Sequence, residues 1–142
     1  YCTNIDRQRH VTPSPNVYSA FYNFNDQWTS INATATGWYT GQPFFRRGKY
    51  TKALGTISSY TSAAIAGGDC GSYTVKGFNL YNTSGQGAVQ GDSGGPLLLA
   101  YNGHYLIAGT TSGVAATVSQ GFSAWISIPP GWTPCTATTP CP

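Results

Sequence analysis

The chain has no methionine and no glutamate, and only 8% of its 142 residues are charged. Without a methionine, Tyr1 is not a translational start, and we expect an N-terminal segment to have been removed ahead of it. Disordered chains combine many charges with few aromatics; here aromatics make up 14%, which excludes that class. No apolar run approaches the ~20 residues that a membrane-spanning helix needs. Seven basic residues against four aspartates leave a net charge of +3 with no basic stripe, so nucleic acid is not an expected partner. Cys-x-x-Cys is absent and only His10 and His104 could join a metal site, so neither a metal nor another cofactor is called for.

What the chain does contain points to one processed, secreted all-β domain. Four cysteines, Cys2, Cys70, Cys135 and Cys141, in a charge-poor, Thr-rich sequence read as disulfides formed in an oxidising compartment. Three pairings are open: Cys135–Cys141 is the local option, leaving Cys2–Cys70, and Cys2 bonded to another chain is an alternative. Helical periodicity is almost missing, and short alternating or apolar runs predict strands over 28–35, 52–58, 72–78, 95–101, 104–110 and 122–128. Tyr101-Asn102-Gly103-His104 is the strongest local signal, because Asn-Gly suits the two positive-φ positions of a two-residue hairpin turn. Residues 1–29 lack clean alternation and read as an N-terminal arm or linker, 30–128 as the folded body, and 129–142, with five prolines and two cysteines, as an extended tail.

Gln90-Gly91-Asp92-Ser93-Gly94-Gly95-Pro96 is the motif that carries chemistry. A serine hydroxyl becomes a nucleophile when a base takes its proton and donors stabilise the oxyanion that forms. Glycines flanking Ser93 permit a tight turn in which the Gly91 and Ser93 amides point into one space. The nucleophile elbow of α/β-hydrolases is excluded: it requires a helix after the serine, whereas Pro96-Leu97-Leu98-Leu99 enters a hairpin, and no acid follows Asp92.

The full string resembles the serine motif of chymotrypsin-like (trypsin-family) serine proteases. Gly37-Trp38 is similar to the Gly-Trp that opens the family's second barrel, Thr111-Ser112-Gly113-Val114 to the strand that lies along bound substrate, and Gly121-Phe122-Ser123 to the strand closing the specificity pocket. The resemblance covers residues 30–128 and implies a six-stranded antiparallel barrel like the second barrel of that fold, with the arm and the Pro-rich tail attached. It further implies Ser93 as nucleophile, Gly91 and Ser93 as the oxyanion hole, and Asp92 as the buried support of that loop. Substrate would be bound by Ser112, Gly113 and Val114, with the pocket floor near Gly87. No carboxylate lies there and Val114 narrows the mouth, which implies a small or medium apolar residue at the cleaved position (P1). By the same resemblance Arg46-Arg47-Gly48-Lys49 falls in a solvated surface loop.

The sequence also departs from the family. The Thr-Ala-Ala-His-Cys string that holds the catalytic histidine is absent, Asp6 is followed by Arg7-Gln8-Arg9-His10 instead of an apolar strand, and Val89 stands where many members have cysteine. His10 and His104 read as solvated, and Asp26 and Asp69 as turn formers. Asn32 and Asn82 begin glycosylation sequons. The expectation is therefore the nucleophile-bearing part of a secreted endopeptidase acting on peptide or protein, its histidine and aspartate on a missing N-terminal chain. The alternative is a catalytically inactive homologue that binds or self-assembles. A lone barrel of this kind would expose an apolar face and call for such a chain or a second copy as partner.

Overall fold

The computed structural model describes residues 20–66, 71–113, 122–125 and 136–137. Nine strands and no helix occur among them: β1 (Ala20–Tyr22), β2 (Trp28–Ser30), β3 (Ala33–Thr34), β4 (Pro43–Arg47), β5 (Lys52–Ala66), β6 (Ser72–Gly85), β7 (Pro96–Tyr101), β8 (His104–Gly113) and β9 (Phe122–Trp125). β1 and β2 form a small antiparallel pair; the other seven make one sheet in the order β3-β8-β7-β4-β5-β6-β9. β9 pairs with β6 on one side and β8 on the other, so the antiparallel pairings run from β8 through β7, β4, β5, β6 and β9 to β8 again. β3 joins β8 in parallel, which makes the sheet mixed where the sequence led us to expect antiparallel pairing throughout.

The Asn-Gly turn is where it was expected, with φ of 49° at Asn102 and 75° at Gly103, and it joins β7 to β8 with Tyr101 opposite His104. The expected strand over 28–35 is two strands. Asn32 breaks it by turning its side chain to the backbone: its Oδ1 accepts the Tyr105 amide at 2.7 Å while its own amide donates to the Tyr105 carbonyl. β5 and β6 run past their expected ends because each supplies the other's ladder from Ala53–Gly85 to Ala66–Ser72. The polar pair Ser58-Ser59 does not end β5; it marks a register shift.

Successive residues of a strand face opposite sides, and β4 uses both. Phe44 packs with Ala53, Ile57, Phe78, Leu97 and Leu99 in one cluster. Phe45 packs on the opposite side with Phe21, Leu98 and Ile107. Phe21 is only 5% exposed, and its ring meets Tyr105 edge-on at 5.2 Å. The β1–β2 pair thus covers the second apolar face from within the chain.

The turn of that pair is built from Asn23, whose Oδ1 accepts the amides of Asn25 and Gln27. Asp26, at φ 59°, pairs with Arg47 and with Lys52, at 3.3 Å from the latter. Those two contacts hold its carboxyl below its ordinary range. At the other end of the chain, Ala137 donates its amide to the Ile31 carbonyl at 2.7 Å.

Candidate active site

Two tight turns end where β7 begins. Val89–Asp92 closes through Asp92 N to Val89 O at 3.0 Å, and Asp92–Gly95 through Gly95 N to Asp92 O at 3.1 Å. The third residue of each is glycine with positive φ, Gly91 at 96° and Gly94 at 84°, as type II turns require. The second turn is stitched to β8 by Gly94 N to Thr111 O at 2.7 Å and Thr111 N to Gly95 O at 2.8 Å. Among the described residues the amides of Asp92, Gly94 and Gly95 are engaged, whereas those of Gly91 and Ser93 donate to nothing. Ser93 is exposed between them.

Asp92 is 1% exposed and anchors this segment. Its Oδ1 accepts the amides of Tyr50 at 2.7 Å and Thr51 at 3.2 Å; its Oδ2 accepts the Val89 amide at 3.0 Å and the Thr51 hydroxyl. Burial alone would raise the carboxyl's pKa, but the Thr51 hydroxyl and the three amides outweigh it and hold the group at about 2. Arg46 lies 3.7 Å from Oδ2, also fully buried. Its Nη2 donates to the Thr51 hydroxyl at 3.0 Å and the Gln86 carbonyl at 2.7 Å. Burial pulls its pKa down and Asp92 pulls it back up.

Arg46 therefore corrects the expectation of a solvated Arg46–Lys49 loop. β4 points Phe44 and Arg46 to the same side, so Arg46 enters the interior, where Asp92 compensates its charge. Arg47 faces the other way and pairs with Asp26. Lys49 is exposed, over the Tyr50 ring at 4.9 Å. Gly48 leaves room for the acid, since a Cβ there would stand 2.3 Å from the Asp92 carboxylate carbon. Tyr50 lies against Gly91, where a Cβ would come within 2.5 Å of its ring. Sequence reasoning missed Arg46, Gly48, Tyr50 and Thr51 as parts of this site. The one available signal was the two-residue spacing of Phe44 and Arg46, which places them on one strand face.

Of the remaining expected site residues, Ser112 is 8% exposed on β8 beside Thr111, and Gly113 ends that strand. Gly87 is half-buried just after β6. Val114, Gly121, His10, Asp6, Asp69 and the four cysteines lie outside the described residues. His104, the one histidine described, is exposed at the far end of the β7–β8 hairpin. Five residue steps of β7 separate that end from Pro96, roughly 17 Å at ~3.3 Å per residue. Asn32 sits at the β2–β3 junction and Asn82 is half-buried in β6. Gly37 and Trp38 precede β4 and, with Thr36 and Tyr60, line an open cleft of about 390 Å³. Trp38 and Tyr60 both rest edge-on against Phe78 there.

No family model and no curated protein matches this chain.

Proposed function

We propose that the chain is the nucleophile-bearing part of a secreted chymotrypsin-like serine endopeptidase, cleaving peptide bonds through an acyl-enzyme on Ser93. The observation that carries this reading is the build of the 89–95 segment. An exposed serine stands between two amides with no internal acceptor among the described residues, on turns held by a buried, ionised Asp92. In such a site the carbonyl carbon of a bound peptide is attacked by Ser93 Oγ, and the Gly91 and Ser93 amides receive the oxyanion. The C–N bond then breaks, the amine leaving with the proton that the base took from Ser93, and water hydrolyses the acyl ester to free the serine. A ring of six antiparallel pairings agrees with a six-stranded barrel, β3 being an added parallel strand. Ser112, Gly113 and Val114 would run beside the substrate backbone.

The base must come from elsewhere than His104, which is remote from Ser93. A separate N-terminal chain that brings a histidine and its orienting aspartate is the partner this reading requires. The same remoteness favours a second reading: an inactive relative of such enzymes that binds or self-associates through the same fold. Labelling the native protein with a fluorophosphonate, followed by intact mass, separates the two. We expect one adduct on Ser93 that disappears in Ser93→Ala. No adduct under conditions that label a control protease assigns the chain to the second reading.

A further inference from the structure

β5 is a strand of 15 residues beside a β4 of five. β4 covers its edge only from Lys52 to Thr56, and Gly41 and Gln42 add backbone bonds to Ile57. From Thr61 to Ala66 the strand pairs with β6 on one side; among the described residues no strand pairs with it on the other. Such an edge turns unpaired N–H and C=O groups outward, a template that natural sheets blunt with charge, proline or a bulge. Thr61-Ser62-Ala63-Ala64-Ile65-Ala66 holds no charge and no proline, and its register with β6 runs unbroken. β6 differs: β9 pairs only with Gly77–Asn79, and the outer edge before them carries exposed Lys76. The β5 stretch is also reachable, since Ser62 and Ala64 are exposed on one face with their β6 neighbours Lys76 and Thr74. A ribbon of two strands is marginal in water, and a third strand is what stabilises it.

We propose that this edge is a self-association surface, where two copies of the chain add β5 to β5 about a twofold axis at Ala63. Hydrogen-bonded and non-hydrogen-bonded pairs alternate in an antiparallel ladder, so a twofold pairing of identical strands must set one residue opposite itself. Centring on Ala63 puts alanine against alanine, Ser62 against Ala64 and Thr61 against Ile65 of the second copy. Thr61 with Ile65 is a β-branched pair, and no like charges stand opposite each other, both of which favour cross-strand pairing. The two Lys76 side chains stay at least three strand spacings apart, roughly 14 Å, beyond the Debye length of about 8 Å at physiological salt. A charge-free edge offers a foreign strand little to recognise beyond its backbone. A second copy brings the same unblunted edge, which itself needs covering. The pairing does not depend on the chemistry of Ser93.

Sedimentation velocity of the native protein between about 1 and 300 µM should show a reversible monomer–dimer equilibrium with a Kd on the order of 10 µM, as a small interface gives. In Ser62→Lys/Ala64→Lys each new lysine faces a lysine of the second copy, and the Kd should rise roughly tenfold or more. In Ser62→Glu/Ala64→Lys each glutamate faces a lysine, and dimerisation should be at least as tight as in the parent. Hydrogen exchange gives a readout that needs no substitution: amides within 61–66 should exchange more slowly at the high concentration than at the low one, and those of 72–76 should not change. A parent that stays monomeric over that range overturns the proposal. A like-charge variant that dimerises as the parent does overturns it too, as does concentration-dependent protection confined to other residues, because the contact would then lie on another surface. Amides of 61–66 protected equally at every concentration would mean that the chain covers its own edge, and that result also overturns it.

Discussion

Asp92 is where the stability of the serine turns responds to pH. Its folded-state pKa of about 2 lies below the ordinary 3.8, so the native state favours the ionised form. That contribution is complete above about pH 4 and is lost as pH falls towards 2, and it amounts to on the order of 2 kcal/mol. Thermal melts between pH 6 and pH 2 should therefore show a falling limb that is shallower in Asp92→Asn. Removing the carboxylate outright is harsher. Asp92→Ala leaves Arg46 charged and buried without its counter-ion, and denaturant titration at pH 7 should show a loss of about 3–5 kcal/mol. At this scale the sequence was legible for the two turns that flank Ser93, because a tight turn needs its positive-φ glycines to be close neighbours along the chain. Arg46 was not legible. Only the fold brings it to Asp92, and beside Arg47 and Lys49 it looked like one more surface charge.

Strands and turns show the same division between local and distant causes. The Asn102–Gly103 hairpin is specified by two positive-φ residues between apolar runs, and it was readable directly. β4 was not, since Pro43, Arg46 and Arg47 give it little alternation and its identity depends on pairing with β5 and β7. β1 was hidden in a segment that looked like an arm; its single buried residue, Phe21, finds its surroundings only when Phe45, Leu98 and Ile107 present a second apolar face. That face makes a test of the element. Phe21→Ala should cost about 3–5 kcal/mol in denaturant titration, the range for a buried aromatic truncated to alanine. A cost below 1 kcal/mol would mean that the β1–β2 pair rests loosely on the sheet.

Among the described residues three of the eight strand pairings join strands that are not consecutive in the chain: β4 meets β7, β6 meets β9, and β3 meets β8. Such sheets close long loops before their contacts reward it. Stopped-flow refolding followed by tryptophan fluorescence should therefore give a main phase in the millisecond-to-second range, and a microsecond phase of full amplitude would contradict this topology. The all-β class was legible from alternation and from the lack of helical periodicity. The order of strands was not, because alternation fixes which face a residue occupies and leaves open which strand lies beside it.

The cradle under Asp92 bears on transplantation. A peptide spanning residues 89–95, grafted into a loop of another protein, would carry the serine and both glycine turns but leave behind the Tyr50 and Thr51 amides, the Thr51 hydroxyl and the Arg46 guanidinium. Its acid would then be solvated and free to swing, and nothing would fix the direction of the two open amides. The smallest portable unit is discontinuous: β4, the Gly48–Thr51 connection and the serine turns must travel together.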